Sequence, residues 1–129
     1  MAFTNDYQEF GFGKDPIVIR KEVDGIKGGV VLDTTGYTED FIYAGHPVIR
    51  DTETGLIYKP FPVASGALGT LPEGYEYAGV VIKSKPVIEP FVAVLTIGEV
   101  NEKALKFPLT SAIKAAFKSA VPTIVWAHD

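Results

Sequence analysis

Histidine, carboxylate and serine side chains are the groups of this chain that could catalyse a reaction or hold a metal ion. The two histidines are His46, between Gly45 and Pro47 at the start of a predicted strand, and His128 near the C-terminus. No paired carboxylate or second histidine lies at a helical spacing that would orient His46 as a general base. We therefore expect a structural or simply exposed role for this side chain.

One acidic segment, Asp51-x-Glu53-x-Gly55, begins like a calcium-binding loop. A third ligand is missing, and the position that should carry a bidentate glutamate is Pro62. The same residues form an ordinary hairpin turn well, and we favour that interpretation. The serines, which lack the context of a nucleophile elbow, are Ser65, Ser84, Ser111 and Ser119. The sequence predicts no catalytic residue, no metal site and no cofactor, and hence a protein that is not an enzyme.

The composition indicates one acidic globular domain. The 129 residues are 47% hydrophobic, include no cysteine and carry a formal net charge of −4, with an isoelectric point near 5.1. This balance argues against a nucleic-acid-binding surface, which requires an excess of clustered Lys and Arg. No apolar run approaches the roughly 20 residues that span a bilayer, and residues 1–13 lack the pattern of a signal peptide. We expect synthesis in the cytoplasm, with neither nucleic acid nor membrane as a partner.

Residues 41–61 predict the hairpin around which the other elements are arranged. Two apolar runs, residues 47–49 and 56–61, are separated by the turn formers of residues 50–55. β-branched runs on either side predict further strands, five to seven in all, joined mostly by short turns. These runs are residues 17–23, 30–33, 75–85 and 91–100, the last as one central strand.

One helix is predicted, near the C-terminus. Thr110 is suited to be its N-cap, and Pro122 ends it. Its apolar face is predicted to consist of Ile113, Ala116, Phe117 and Ala120. Lys114 and Lys118 are predicted to point away from that face. Residues 123–127 predict a short closing strand that buries Trp126, the only tryptophan.

Residues 1–15 predict an N-terminal arm, and residues 16–129 predict a single β-rich domain. The arm carries Phe3, Tyr7, Phe10 and Phe12 among polar residues and glycines, with neither a helical nor a strand period. Aromatic side chains on such a segment indicate docking. The arm docks either onto its own domain or onto a neighbour, by adding a strand to an exposed sheet edge.

Three motifs follow one another in the predicted domain. They are Ala44-Gly45-x-Pro47-Val48 at the hairpin, Gly79-Val80-Val81 in a later strand, and Val94-Leu95-x-x-Gly98-Glu99-Val100-Asn101-x-x-Ala104-Leu105 before the helix. In this order they resemble the head decoration, or auxiliary capsid, proteins of tailed bacteriophages. The resemblance extends over residues 28–127, and head-fiber proteins of related phages share parts of the pattern.

The resemblance implies a small mainly β domain, with a barrel-like or tulip-like sheet and one short C-terminal helix, that forms homotrimers. Such proteins bind the outer face of the expanded capsid and clamp neighbouring capsomers against internal DNA pressure. The implied partner is the lattice of the major capsid protein, and the implied location is the virion after synthesis in the host cytoplasm. An arm that adds a strand to the lattice would here consist of Phe3, Thr4, Tyr7, Phe10 and Phe12.

A subunit interface is predicted near residues 62–74, because this segment is long, rich in Gly and Pro, and nearly uncharged. The predicted interface residues are Leu68, Leu71, Pro72, Tyr75 and Phe117. Two alternatives stay open. One is a head-fiber base or host-surface module that binds glycans through Tyr43, Tyr58, Tyr75 and Tyr77. The other is a small β-barrel enzyme, for which no set of catalytic residues can be named.

Overall fold

The structure is a computed structural model that describes residues 18–127. Within this range the strands are β1 (Ile19–Gly25), β2 (Val30–Val31), β3 (Phe41–Ile42), β4 (Pro47–Asp51), β5 (Tyr58–Pro60), β6 (Val63–Ala64), β7 (Ala67–Leu68), β8 (Tyr75–Val81), β9 (Lys85–Pro86), β10 (Phe91–Val92), β11 (Val94–Asn101) and β12 (Ile124–Ala127). A 3-10 turn (Glu102–Ala104) and the helix α1 (Ser111–Ala120) lie between β11 and β12. The predicted class, mainly β with one short C-terminal helix, is confirmed.

A six-stranded sheet forms the centre of the fold. The strands lie in the order β1, β11, β8, β4, β5 with antiparallel pairing, and β12 pairs in parallel with β11. The central strand is β11, which pairs with β8 through Val94 and Leu95 and with β12 from Gly98 onwards. The expected central position of this part of the chain is therefore confirmed.

The sheet is open, so the predicted barrel-like closure is wrong. A barrel closes only when its two edge strands pair with each other. In the part of the chain that the structure describes, β1 pairs only with β11. At the opposite edge the outer side of β5 is occupied by an incoming segment. Leu32 forms a bridge with Tyr58, and the Asp33 N–H donates to the Tyr58 carbonyl at 2.8 Å.

The central hairpin is confirmed as the pair β4 and β5, in which Val48 lies opposite Pro60 and Arg50 opposite Tyr58. The chain enters β4 through Gly45, whose φ is 85°. A side chain at this position would also collide with Leu105 and Val18. Glycine is required here both by the positive φ and by the close packing.

Two segments are divided more finely than the sequence pattern predicts. Residues 91–100 form two strands, because β10 pairs with β2 while β11 joins the main sheet. At the break, the Ala93 carbonyl accepts a hydrogen bond from the Ile82 N–H at 2.9 Å. Residues 62–74, predicted as a loop, contain the short hairpin β6 and β7, with Val63 opposite Leu68. Two-residue strands are too short to show a period in the sequence.

The buried apolar side chains form two clusters on opposite faces of the sheet. Successive residues of the central strands alternate between them, as Val48 and Ile49 of β4 and Val80 and Val81 of β8 show. All four side chains are fully buried. Burial on both faces explains why these strands are continuous apolar runs instead of alternating patterns.

Helix α1 covers one of these clusters mainly through the ring of Phe117, with the half-buried Ile113 packed beside it. Phe117 is fully buried, and its ring centre lies 5.1 Å from that of Tyr77 and 5.2 Å from that of Trp126. Ala116 and Ala120, predicted for the same buried face, are exposed. The contact between the helix and the sheet is therefore narrower than the apolar pattern suggests.

The ends of α1 follow the predicted signals. The Thr110 hydroxyl accepts a hydrogen bond from the Ile113 N–H at 3.2 Å, and the helix ends two residues before Pro122. One lysine differs from the prediction. The Lys114 ammonium does not point away but donates to both carboxylate oxygens of Glu102, at 3.0 and 2.9 Å. This ion pair ties the helix to the 3-10 turn that precedes it.

Candidate functional site

The turn between β4 and β5 is organised by one carboxylate, that of Asp51. Its Oδ1 accepts a hydrogen bond from the Ile57 N–H at 3.0 Å, and its Oδ2 accepts from the Thr54 N–H at 2.8 Å and the Thr54 hydroxyl at 2.7 Å. These bonds, first of all the one from Ile57, lower the pKa of Asp51 to about 2. Both oxygens serve the turn, as the hairpin interpretation of this segment predicts.

The hairpin tip, residues 52–57, is also tied to the neighbouring loop. The Thr52 N–H donates to the Gly74 carbonyl at 2.8 Å, and the Thr52 hydroxyl donates to the same oxygen at 3.2 Å. On this ordered backbone Leu56 is 81% exposed and Ile57 is 46% exposed. The hairpin tip therefore holds two aliphatic side chains in water on a frame that is already ordered.

A cavity of about 100 Å³ lies beside β5. Its lining residues are Asp33, Thr35, Gly36, Tyr37, Ile49, Lys59, Pro60, Pro62 and Pro72. We call it the proline cavity, because three prolines form part of its wall. Proline has a fixed φ and little conformational freedom, so these parts of the wall are rigid before any ligand arrives. The charged groups in the lining are Asp33 and Lys59.

Tyr37 connects the proline cavity to the core behind it. Its side chain is half-buried, and its hydroxyl donates to the Phe41 carbonyl at 3.2 Å. Burial raises the pKa of Tyr37 to about 12, with a smaller contribution from the charge of Glu39. The hydroxyl is therefore neutral at physiological pH and acts as a hydrogen-bond donor within the chain.

His46 lies behind Tyr37, and the two rings meet edge to face with their centres 5.8 Å apart. His46 is 4% exposed, and its Nε2–H donates to the Phe61 carbonyl at 2.8 Å. Burial lowers the pKa of His46 to about 4, although the hydrogen bond to Phe61 opposes this shift. The neutral ring holds the start of β4 against residue 61, which agrees with the structural role expected for it.

Three residues of the predicted subunit interface lie at the same end of the sheet as the hairpin tip. Pro72 lines the proline cavity, and the preceding residue, Leu71, is 37% exposed. Tyr75 is half-buried opposite Asp51, with the Lys59 ammonium 5.4 Å from the centre of its ring. Contact of these three side chains with another subunit stays a prediction.

The other two predicted interface residues are corrected by the structure. Phe117 is completely buried between the sheet and α1, and Leu68 of β7 is 9% exposed. Both belong to the same core cluster. Side chains that pack inside their own chain have almost no surface left for a partner. Sequence patterns show that such residues are apolar, but they do not show which apolar surface covers them.

The predicted capsid-binding arm lies outside the described residues. This applies to Phe3, Thr4, Tyr7, Phe10 and Phe12, and to His128 at the other end of the chain. Their roles stay predictions.

Two of the four tyrosines considered for glycan binding, Tyr43 and Tyr77, are packed against other rings. Tyr77 is 7% exposed and stacks on Phe61 with ring centres 5.7 Å apart. Tyr43 is half-buried and meets Phe107 edge to face at 6.1 Å. Sugar-binding sites use an open aromatic face, and at Tyr77 that face is buried.

The hairpin tip and the proline cavity were not identified from the sequence. The apolar run 56–61 predicts that Leu56 lies in a strand, whereas β5 begins only at Tyr58. The sequence signal for a turn position of Leu56 is its place directly after Gly55, the last turn residue. The sequence contains no local signal of the proline cavity, because its wall combines segments that are distant in the chain. They are residues 33–37, 49, 59–62 and 72.

Within residues 18–127 no group of three His, Asp or Glu side chains is arranged to hold a metal ion. The helices of this range do not include one that is long and apolar enough to cross a membrane. No protein-family model, no curated protein and no solved structure matches the chain.

Proposed function

We propose that this chain is a structural protein of a tailed-bacteriophage particle. It binds the outer surface of the expanded capsid as a homotrimer and clamps neighbouring capsomers. The structural observation that carries the proposal is the hairpin tip, where Leu56 and Ile57 are exposed on a backbone ordered by Asp51. An ordered tip loses little conformational entropy when it docks, which suits a protein that works by binding.

The motif residues behind the resemblance support the proposal through the packing they allow. A side chain at Gly79 of β8 would collide with the backbone of Leu95 in β11, and one at Gly98 would collide with the backbone of Lys21 in β1. Asn101 caps the 3-10 turn by accepting a hydrogen bond from the Lys103 N–H at 3.1 Å. The motif residues therefore allow close contacts between strands and cap one turn. These are structural roles, which fits a family whose members share a fold.

Binding at several equivalent positions provides the mechanism. A single contact with the lattice can be weak, because a trimer that engages three equivalent positions gains affinity through its high effective concentration. The net charge of −4 reduces competition from the packaged DNA, since the acidic protein is repelled by phosphate. Clamping then requires no chemistry, only simultaneous contacts with neighbouring capsomers.

The test is co-sedimentation of the purified chain with a panel of tailed-phage capsids stripped of their own decoration proteins. We expect binding to expanded shells, no binding to unexpanded shells of the same phage, and a trimer mass by light scattering. The double variant Phe10→Ser, Phe12→Ser should lose capsid binding, whereas Ile88→Ser, which changes an 84% exposed residue of the domain, should retain it. A chain that neither forms trimers nor binds any expanded shell would overturn the proposal.

The glycan-binding alternative is tested in parallel. Of the four tyrosines considered, Tyr77 is buried and Tyr43 is packed against Phe107, whereas Tyr58 and Tyr75 are half-buried. Reproducible binding to a glycan array, combined with no binding to expanded capsids, would replace the decoration function with that of a host-surface module.

A further inference from the structure

One side of the sheet is left uncovered where β1, β11 and β12 lie next to one another. Ile124 and Trp126 of β12 belong to the core cluster beneath α1, so Val125 between them points to the opposite side. The other core cluster, which covers that opposite side at β4 and β8, includes Val94 of β11 and no described residue of β1 or β12. Val125 is accordingly 54% exposed.

Two more aliphatic side chains extend this surface across the neighbouring strands. Val125 lies opposite Glu99 of β11, and Ile97, two residues earlier in β11, shares that side and is 37% exposed. In β1, Val23 is the extra residue of a bulge beside Asp24, the partner of Ile97, and it is 57% exposed. We call the surface formed by Val23, Ile97 and Val125 the open face.

The charges around the open face balance one another. The basic residues are Arg20, Lys21 and Lys27, and the acidic residues are Glu22, Asp24 and Glu99. Arg20 Nη1 lies 3.2 Å from Glu99 Oε1, and the Lys27 ammonium lies 3.6 Å from Asp24 Oδ1. A surface of balanced charge does not favour a charged partner, so recognition by the open face rests on apolar contact.

The size of the open face selects its occupant. Its three aliphatic side chains are about half exposed, so they leave on the order of 200 Å² of apolar surface to be covered. A stable interface between two proteins buries about 800 Å² on each partner, which is far more than the open face offers to a second copy. One aromatic side chain buries about 150–250 Å². The open face therefore fits one or two aromatic rings on a single segment of chain.

The N-terminal arm leads into β1 beside the open face. Ile19, at the start of β1, lies opposite Val100 of β11, and Trp126 of β12 lies opposite the same residue from the other side. Val125 precedes Trp126, so it lies two strand spacings, or about 10 Å, from the start of β1. The open face is therefore close to the point where the arm joins the domain.

Two aromatic residues of the arm, which lies outside the described residues, are near enough in sequence to reach this surface. Phe12 and Phe10 precede Ile19 by seven and nine residues. An extended chain of that length spans about 20–30 Å. Gly13 and the pair Asp15-Pro16 are turn formers that allow the chain to reverse. We propose that Phe10 and Phe12 of the arm pack on the open face of their own chain.

The short connection explains why so small a surface is sufficient. A segment tethered beside its site has an effective concentration in the millimolar range. It docks without the loss of translational freedom that two separate molecules undergo on binding. The inference goes beyond the proposed function, because it concerns the chain free of any capsid. On a capsid, Phe10 and Phe12 become available to the lattice when they leave the open face.

Disulfide trapping in the full chain tests the proposal, because the chain contains no cysteine of its own. At low protein concentration in a glutathione buffer, Gly11→Cys with Val125→Cys should form a disulfide within one chain. The rate should be at least 10-fold higher than for Gly11→Cys with Lys103→Cys. The control is matched, since Lys103 is exposed and follows Asn101, whose N–H donates to the Val18 carbonyl, by two residues. It is near the base of the arm but outside the open face.

Removal of the two rings provides the second comparison. Phe10→Ser, Phe12→Ser in the trapping variant should lower the rate at least 10-fold, to that of the Lys103→Cys control, whereas Phe3→Ser should leave it unchanged. Val23→Cys replaces Val125→Cys if the latter does not fold. Equal rates at the open face and at the control position, or a rate independent of the two rings, would overturn the proposal. Disulfides that join two chains would overturn it as well, because the occupant would then be a second copy.

Capsid co-sedimentation separates this inference from the proposed function. If the ring-dependent disulfide forms but the unchanged chain binds no expanded capsid, the docking stands and the decoration function fails. If no such disulfide forms but the chain binds expanded capsids through Phe10 and Phe12, the decoration function stands and the docking is wrong.

Discussion

Three polar side chains are buried in the described part of the chain, and each completes a local backbone structure. Asp51 holds the hairpin tip, His46 binds the Phe61 carbonyl, and Asn101 caps the 3-10 turn. A buried polar group that lacks a partner destabilises a protein, so these hydrogen bonds are needed for stability. At the residue scale the chain uses these buried polar groups to support local backbone structure, and the hairpin tip that Asp51 orders exposes the aliphatic side chains of Leu56 and Ile57.

The first prediction concerns the pH dependence of stability. The pKa of His46 is near 4 in the folded chain and near 6.5 when exposed, so between these values the unfolded state binds one more proton. The free energy of unfolding therefore decreases as the pH falls through this window, by about 2–3 kcal/mol between pH 7 and pH 4.5. Asp51, with a pKa lowered to about 2, contributes stability that is lost only below about pH 4, outside this window.

Urea unfolding at pH 7 and pH 4.5 measures this effect. In His46→Gln the difference between the two pH values should decrease by the amount given above, whatever the stability of the variant at pH 7. The matched control His128→Gln, which removes the other histidine of the chain, should keep the full difference. An unchanged pH dependence in His46→Gln would contradict the burial of a neutral ring.

At the scale of elements, β8 and β11 approach each other closely, and their paired residues contribute side chains to both core clusters. The two strands pair only through Val94 opposite Val81 and Leu95 opposite Val80. Gly79 lies just before this short ladder, where its hydrogen faces the Leu95 carbonyl and a methyl group of Val94. The absence of a side chain at this position allows the strands to meet.

The second prediction is that Gly79→Ala destabilises the chain by about 1–3 kcal/mol, because the added methyl group has no space. A Cβ atom would lie 2.8 Å from Val94 Cγ1 and closer still to the Leu95 carbonyl oxygen. Gly69→Ala is the matched control, since its Cβ would come no closer than 3.4 Å to any neighbour and its φ is not left-handed. Chemical denaturation should show a lower midpoint for Gly79→Ala alone. Equal midpoints would mean that β8 and β11 are farther apart than described.

At the scale of the whole molecule, the hairpin tip and the C-terminal end of the loop 62–74 come together because β4 ends, and β5 and β8 begin, at the same end of the sheet. Asp51 of β4 lies opposite Tyr75 of β8, and Thr52 binds Gly74. If the hairpin tip docks at several equivalent positions of a lattice, as the proposed function requires, the individual weak contacts reinforce one another.

The third prediction concerns this reinforcement. If the exposed hairpin tip contributes to the contact at each of three equivalent positions, Leu56→Asp weakens all three contacts and should lower the apparent affinity for expanded capsids by about 100-fold or more. The melting temperature should not change, since Leu56 is 81% exposed and contributes little to the core. Ile88→Asp should bind like the unchanged chain. Binding isotherms on immobilised capsids measure the effect, and equal affinities for both variants would contradict docking through the hairpin tip.

Local chemistry explains which parts of the structure were predictable. The hairpin follows from the turn formers of residues 50–55, and α1 follows from the N-cap Thr110 and the terminator Pro122. The mainly β class follows from the β-branched runs that become β1, β8 and β11. These signals act over a few residues of backbone, so the amino-acid sequence alone determines them.

The tertiary structure decided the features that depend on segments distant in sequence. Phe117 is buried and Leu56 is exposed, although both are large apolar residues, because only Phe117 meets the rings of Tyr77 and Trp126. The sheet is open because its edge strands β1 and β5 do not pair with each other, and residues 32–33 lie along the outer side of β5 instead. The proline cavity exists because residues 33–37 pack beside Pro62 and Pro72. Burial, closure and cavities are properties of contacts between elements, and no local pattern specifies which elements will meet.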